Sequence, residues 1–470
     1  MALRSVKNKE MFHHDGYMYV FDKLTKDGER KMWRCEGKNR GCKARLHSNS
    51  ETGEVICTRG THIHPSNMTT VEVTRALTSM KTRAVSSQEG TSQIINHCIQ
   101  NLSVAVQGQM PNLDALKKTI RRRRVNVQAP PPNPANLIDL VVPQGSVYRQ
   151  YESAPGNFEN FLLAERAPSV DNILIFGRES NLGMLERSQR WYIDGTFRMA
   201  PLVFAQVFVI LCEELGGVHT VAYGFLPNKR RITYDRFFEM LHNLRPNAAP
   251  ASVSCDYELN AFRAVLERFP NAEIHGCFFH FVKNFKRCIT NNDLEARYNE
   301  DADFALHSRM IPAMAFVPPN TIEDSFTELS NFLPPELNPV LDWLEDNYIG
   351  RRVGNNNRRP PTFAVAMWNV HDRVQQHLGR TNNFAEAAHR RIMAELQCAH
   401  PTIWKLIADL KKVQKSRDLF YESLVAGHQP PRKRRRYIDC DQRIERIVGN
   451  FNGYQNVIDF LRGVAHNFEM

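Results

Sequence analysis

The stretch RWYIDGTF, residues 190–197, decides the reading of the fold. Aromatic and β-branched residues run into Asp194 and then a Gly-Thr pair, the composition of a strand that carries one acid near its end. Two further β-rich runs follow, LVFAQVFVIL (202–211) and HTVAYGFL (219–226), separated by short polar turns, so a three-strand meander is expected. TYDRFFEMLHNL (233–244) has helical spacing, ASVSC (251–255) is a short strand, and Leu259, Phe262, Leu266 and Phe269 mark a second helix before a fifth strand in AEIHGCF. The order is β-β-β-α-β-α-β.

That order is the one an RNase H-like fold follows, and it predicts an α/β core whose first part spans residues 170–290. Residues 291–370, with paired prolines, the polar run GNNNRRPP and helical pieces such as LNPVLDWLEDNYI, read as a helical insertion. Helical patterning at 382–396 and 402–424 supplies the final core helices within 371–425. Residues 426–470 hold the basic run RKRRR (432–436) and a last helix near Arg443 to Ala465. On the N-terminal side, 128–169 is a linker and lead-in opening on QAPPPNPAN, which holds no regular element. Residues 68–127 form a short helical module of three helices ending in Arg121 to Arg124, and 1–67 a small β domain. The chain is therefore expected to be multidomain.

Lys and Arg outnumber Asp and Glu by 61 to 50 over 470 residues, a net charge of +11 that favours a polyanionic partner through counterion release. MALRSVKNKE lacks the apolar core of a signal peptide, and no run of about 18 apolar residues spans a bilayer, so an intracellular, soluble protein without a membrane partner is expected. Ten cysteines spread from Cys35 to Cys440 lack the density of a disulfide scaffold, so any Cys with His at ligand spacing invites a metal reading.

Cys35, Cys42, His62 and His64 supply two thiolates and two imidazoles within 30 residues, a closed structural zinc set. A domain of about 60 residues buries little apolar surface, and metal binding contributes folding free energy in such cases. Alone, the quartet is equally compatible with two buried thiols and two surface histidines. The flanking residues Phe21, MWRC (32–35), GCKAR (41–45) and THIHP (61–65) resemble the FLYWCH zinc finger, although Met32 replaces the aromatic before Trp33. The resemblance implies a zinc ion on the four ligands and DNA reading by a zinc-stapled sheet, as in the similar WRKY domains, through Lys43, Arg45 or their neighbours. Cys57 falls outside the pattern and reads as a core thiol.

Asp194 at the end of the first strand, Asp256 just after the fourth and Glu386 on a later helix are the acids that the inferred fold brings together. Phosphodiester chemistry needs such a cluster, because two divalent ions must be held by hard oxygen ligands. Each acid singly is as compatible with a turn or cap. DGTF, the later Asp before a helix, CFFH (277–280) and TNNFAE together resemble Mutator-like element transposases over about residues 170–400. The resemblance implies that Asp194, Asp256 and Glu386 are the catalytic residues and hold magnesium or manganese. It implies cleavage at element ends and strand transfer into target DNA.

Cys277 and His280 match the C-x2-H pair of that family and are expected to have a structural or DNA-positioning role rather than to form a second zinc site with Cys288 or His275. His389 shares the helical face of Glu386, where it either orients the carboxylate or contacts phosphate, with a partly exposed helix histidine as the alternative. Glu258 is a neighbouring alternative to Asp256, set aside because its position inside the following helix points it elsewhere. Arg121, Arg122, Arg123 and Arg124 are expected to contact phosphate, with a solvated helix end as the alternative. RKRRR is an exposed nuclear localisation signal candidate.

The expected function is a DDE-type transposase acting in the nucleus, with double-stranded DNA (terminal repeats and target) as partner and a homo-oligomer on DNA. Two alternatives stay open: a domesticated, transposase-derived transcriptional regulator without catalysis, and an RNase H-like nuclease without strand transfer, for which the finger would be surplus.

Overall fold

A computed structural model of the chain describes residues 3–4, 9–87, 89–127, 130–166, 168–353 and 357–468. Two compact units emerge, Met1–Pro132 and Asn133–Met470, each with its own core.

The first unit opens on a six-stranded meander, β1 (Leu3–Arg4), β2 (Glu10–His14), β3 (Tyr17–Leu24), β4 (Arg30–Cys35), β5 (Arg45–Asn49) and β6 (Val55–Arg59), paired in sequence order. Tyr19, Trp33, Cys35, Cys42, Ala44 and Leu46 form its small core. The Trp33 indole N–H donates to Ser48 Oγ at 2.9 Å, so the one buried polar edge of that ring is satisfied. Cys57, expected in the core, is instead half-buried on β6, the strand at the edge of the sheet.

Four helical segments follow rather than three: α1 (Met68–Ser86), α2 (Thr91–Ile99), the single turn α3 (Val104–Gln107) and α4 (Leu113–Val127). Asn67 caps α1 by accepting from the Thr70 N–H. Met80, Ala84, Ile94, Ile95, Leu116 and Ile120 bury the helices against one another, while Val71 of α1 packs with Met11 and Met18 of the sheet. Sheet and helices therefore share apolar contacts across the expected boundary at 67/68. Of the proline-rich linker, residues 128–129 lie outside the described residues, and 130–136 carry no helix or strand.

The second unit is built on a mixed seven-stranded sheet. A hairpin, β7 (Gln150–Ala154) and β8 (Asn157–Asn160), precedes β9 (Leu162–Glu165), β10 (Leu174–Phe176), the short α5 (Met184–Arg187), β11 (Arg190–Thr196), β12 (Gln206–Glu214), β13 (Gly217–Leu226), α6 (Arg231–Leu244), β14 (Ser252–Cys255), α7 (Leu259–Arg268) and β15 (Glu273–Gly276). The strand order is β15-β14-β11-β12-β13-β10-β9, with β11, β14 and β15 parallel and the β11-β12-β13 meander antiparallel. The sheet thus begins at Leu162, inside the segment read from sequence as a lead-in. The second strand starts at Gln206 rather than Leu202, because Pro201 to Phe204 closes a turn with a 2.8 Å backbone bond.

Alternation along β11 divides the packing. Trp191 and Ile193 face a core shared with α6, α7 and the helices that follow; Tyr192 faces a second core with Ala385, Ile392, Trp404 and Leu406. Those following helices are α8 (Phe278–Asn291), α9 (Glu295–Glu300), α10 (Ala302–Ala313), α11 (Ile322–Phe332), α12 (Asn338–Leu344), α13 (Val365–Trp368) and α14 (His371–Gln375). Then come α15 (Asn383–Leu396), α16 (Ile403–Val425), α17 (Arg435–Gly449) and α18 (Val457–Ala465). The C-terminal segment is therefore two helices, not one, broken around Asn450 to Asn456, and Phe460, Leu461 and Val464 of α18 bury into the same core as Phe304 and Ile311 of α10. No described helix is long and apolar enough to cross a membrane.

Candidate metal centres and nucleic-acid surfaces

In the first unit, Cys35 ends β4 and Cys42 follows a short 3-10 turn that closes on Gly41 at φ 89°, a left-handed position suited to glycine. The loop after β6 returns His62 and His64 to the two sulfurs. Cys35 Sγ lies 3.1 Å from His64 Nε2 and Cys42 Sγ 3.5 Å from His62 Nδ1, and all four ligand atoms lie within 4.8 Å of one another. A Cβ at Gly37 would stand 2.8 Å from His64 Nε2, so only glycine leaves that imidazole its place.

The outer nitrogens are held as a metal requires. His64 Nδ1 is 3.1 Å from the Pro65 carbonyl, which accepts only from a protonated nitrogen and leaves Nε2 as the donor to metal. His62 Nε2 pairs with the Tyr19 hydroxyl at 2.9 Å, leaving Nδ1 toward the sulfurs, and Tyr17 stacks on the same ring with 3.6 Å between centroids. Burial pushes the Cys35 thiol up to about 11, a state that a cation between the sulfurs would reverse. Tyr17 and Tyr19 were not singled out from the sequence, although the alternation of YMYVF puts both on one strand face.

Lys43 and Arg45 are exposed. Arg45 stands opposite Arg34 on β4 and Arg59 on β6, so three guanidinium-bearing residues occupy one cross-strand row. Like charges directly opposite one another oppose pairing. Asp22 engages Arg34, with Nε to Oδ2 at 2.5 Å, but neither Arg45 nor Arg59 has a carboxylate partner among the described residues. In α4, Arg121 and Arg122 are exposed, whereas Arg123 is half-buried. Arg124 departs from the expected phosphate role: its guanidinium donates to the Ala84, Ser87 and Glu89 carbonyls and ties α4 to the end of α1, because those carbonyls have no helical partner.

In the second unit, β11 and β14 run parallel with Tyr192 level with Ser254. Asp194 lies two residues further along β11 and Asp256 directly after β14 ends at Cys255, so continuing that register sets the two acids side by side, where the sheet switches from parallel to antiparallel pairing. Asp194 accepts from the Gly195 N–H at 2.9 Å, and a Cβ on Gly195 would meet Gln206 Oε1 at 2.2 Å, which accounts for the glycine in DGT.

Glu386 lies in the first turn of α15. The His280 ring stands between it and Asp256, with Nδ1 3.8 Å from Asp256 Oδ1 and Nε2 4.0 Å from Glu386 Oε1. His389, one helical turn beyond Glu386, puts Nδ1 3.5 Å from Asp194 Oδ2. Burial holds the His389 imidazole down at about 4, so it is neutral at pH 7 and that contact is not an ion pair. Burial, then the charges of Asp256 and Glu386, push the Asp194 carboxyl up to about 7 against the opposing Gly195 N–H. The side chains of Asp194, Glu386 and Asp256 are 12%, 26% and 41% exposed, so the site deepens from solvent toward Asp194. Among the described residues the finger quartet is gathered as a tight metal-ligand group, and Asp194, Asp256 and Glu386 are not gathered in that way.

Asn382 joins the three acid-bearing elements. Wholly buried, it donates from Nδ2 to the Ile193 carbonyl at 2.8 Å and from its backbone N–H to Cys277 Sγ at 3.1 Å, while the Cys277 N–H donates to the Cys255 carbonyl at 2.9 Å. Ile193, Cys255 and Asn382 lie next to Asp194, next to Asp256 and one helical turn before Glu386. Burial raises the Cys277 thiol to about 11, so it sits in this network as a neutral acceptor. Glu258 precedes α7 rather than lying inside it, and Lys229 Nζ at 2.9 Å and the Tyr234 hydroxyl at 2.7 Å hold its carboxylate. Sequence reasoning passed over Asn382, Lys229 and Tyr234.

These geometries coincide with two domain families. Residues 2–64 match the FLYWCH zinc finger domain and residues 190–284 the MULE transposase domain, the latter containing Asp194, Asp256, Cys277 and His280 but ending before Glu386. Among curated proteins, "FLYWCH transcription factor 2" of Caenorhabditis elegans is 41% identical over 59 residues, covering 13% of this chain and 12% of that protein. "FLYWCH transcription factor 3" of the same organism is 37% identical over 62 residues, 13% of this chain and 14% of that protein. The chain thus spans about an eighth of the length of these relatives. The FLYWCH match and the Cys2His2 cluster together support zinc in the finger.

Proposed function

We propose that this protein is a DDE-type DNA transposase that acts in the nucleus. Its finger and helical module bind double-stranded DNA at terminal repeats, and its second unit cuts and transfers strands. The observation that carries the reading is Asp194 on β11 and Asp256 directly after the end of the parallel strand β14, with the Glu386 helix fastened to β11 by Asn382.

The strand order and parallel pairing support an RNase H-like core, with the helices between β15 and α15 as its helical insertion. In the proposed site Asp194, Asp256 and Glu386 would hold Mg²⁺ or Mn²⁺, whose chemistry there would be to activate a nucleophile and stabilise a leaving oxygen. A carboxyl raised to about 7 by burial, and then by two neighbouring acids, is the arrangement that divalent cations relieve. His280, between Asp256 and Glu386, and neutral His389, against Asp194, orient these oxygens; Cys277 holds the strand ends. In the finger, Lys43 and Arg45 with Arg34 and Arg59 face phosphate and bases, and Arg121 and Arg122 add phosphate contacts. Cutting paired element ends favours a homo-oligomer on DNA.

The names of the two relatives favour a second reading, a transposase-derived transcriptional regulator in which the finger alone does the work. Incubating the full chain with supercoiled DNA and Mn²⁺ separates the two. Metal-dependent nicking that Asp194→Asn and Glu386→Gln both abolish, with DNA binding intact, supports the enzyme. Intact binding with no nicking in the unsubstituted protein, at any divalent ion, supports the regulator.

A further inference from the structure

An open cleft of about 1300 Å³ in the second unit has Glu386 in its lining together with residues of α8, α15 and the start of α17. Its wall carries seven Arg and Lys side chains against four Asp and Glu. Three of those acids already have a partner in the cleft: Glu213 takes Arg190 at 2.8 Å, Asp441 takes Arg380 and Lys433, and Glu445 takes His377 at 3.2 Å. The fourth is Glu386. Arg390, Arg434 and Arg443 face the cleft without a carboxylate partner among the described residues.

The same cleft is lined by uncovered rings: Phe279 is 47%, Phe384 44% and Tyr437 59% exposed. Tyr192 props the Phe384 ring edge-on at 5.1 Å, so that ring has a fixed orientation. Cations interleaved with exposed rings match the chemistry of an unpaired nucleic-acid strand, whose phosphates need the first and whose bases stack on the second. The start of α17 adds to the demand for an anion, because Arg434 occupies its N-cap with no acid in the first turn, where the helix end itself is positive.

We propose that this cleft binds a single DNA strand, its phosphates along Arg390, Arg434 and Arg443 and its bases against Phe279, Phe384 and Tyr437, and leads that strand past Glu386. The function of the cleft rests on Glu386 belonging to a DNA-cutting centre; the binding itself does not. RKRRR then does more than the sequence suggested, since Lys433, Arg434 and Arg436 line the cleft.

The test uses the full chain in EDTA, a short fluorescent oligothymidylate, and a 4-thiothymidine version for photocrosslinking with peptide mapping. The expected result is crosslinks in peptides bearing Phe279, Phe384 or Tyr437. Tyr437→Ala should weaken single-strand binding about tenfold, the order expected for one lost stack, with Tyr437→Phe restoring it. Arg434→Ala should lower the salt slope by about 0.7. Both positions are exposed, and an unchanged melting curve verifies folding. Single-strand affinity and crosslinks unaffected by Tyr437→Ala and Arg434→Ala overturn the proposal, as does loss of nuclear import alone in Arg434→Ala, or crosslinking that only duplex DNA gives. Cleft crosslinks in a protein that no divalent ion makes competent to nick DNA leave this inference standing and defeat the catalytic reading instead.

Discussion

The Asn382 side-chain amide donates to the Ile193 carbonyl at 2.8 Å, fastening the helix that carries Glu386 to the strand residue before Asp194. The two residues are 189 positions apart in sequence. In the proposed site this bond sets the separation of two metal-bearing carboxylates. Asn382→Ala should leave the second unit folded at a cost of about 1–3 kcal/mol, because a buried carbonyl loses its donor. Mn²⁺ affinity should fall roughly tenfold or more, the usual effect of removing an outer partner of a metal ligand. Calorimetric Mn²⁺ titration checks this; unchanged affinity in a destabilised protein would make Asn382 a packing residue only.

The Asp194 carboxyl fixes a pH dependence. Its folded value, about 7, lies above the ordinary 3.8, so the folded state binds more protons between those limits. Its contribution to stability is fully present below about pH 4 and is lost as pH rises through about 7, by several kcal/mol at roughly 1.36 kcal/mol per unit. Without divalent ions, stability of the second unit should therefore decline over that window; with Mn²⁺ it should recover above pH 7, where metal displaces the proton. Chemical denaturation at several pH values measures both, and Asp194→Asn should flatten the metal-free profile.

Zinc should be required by the finger. Cys42→Ser or chelation should unfold the sheet around Tyr19 and Trp33, seen as loss of near-ultraviolet dichroism, while the second unit keeps its melting transition. Tyr19→Phe removes the partner of His62 Nε2 and should weaken zinc about tenfold without unfolding the zinc-loaded domain. Competition with a chromophoric chelator reads the difference.

The arginines at the end of α4 should separate by role. Arg121→Ala and Arg122→Ala should each lower the salt slope of duplex binding by about 0.9 with little change in stability. Arg124→Ala should instead destabilise the helical module, because three carbonyls lose a charged donor. Salt titration and thermal melting of the same variants distinguish them.

Sequence carried some of this and not the rest for identifiable reasons. The finger was legible because its four ligands fall within 30 residues and metal chemistry restricts residue type. The β11-β12-β13 meander and the β14 and β15 strands were legible from β-rich runs bounded by turns. Glu386 stood out only through TNNFAE, since 130 residues separate it from Asp256 and no periodicity spans that gap. Asn382, in the same motif, was missed because a side chain that bonds to a backbone carbonyl leaves no mark on its partner's residue type. Arg124 was misread for the same reason, and Leu162–Glu165 was too short to show as a strand before its pairing with β10 was known.

In the proposed site Asp194, Asp256 and Glu386 together hold divalent metal. Anomalous diffraction from crystals of the full chain soaked in Mn²⁺ tests it most directly. The account predicts Mn²⁺ peaks bonded at about 2.1 Å to Asp194 and Asp256, with a second site about 3.5–4 Å away reached by Glu386. Mn²⁺ absent from these carboxylates at saturating concentration, or bound with the Glu386 helix turned away from it, would contradict the account.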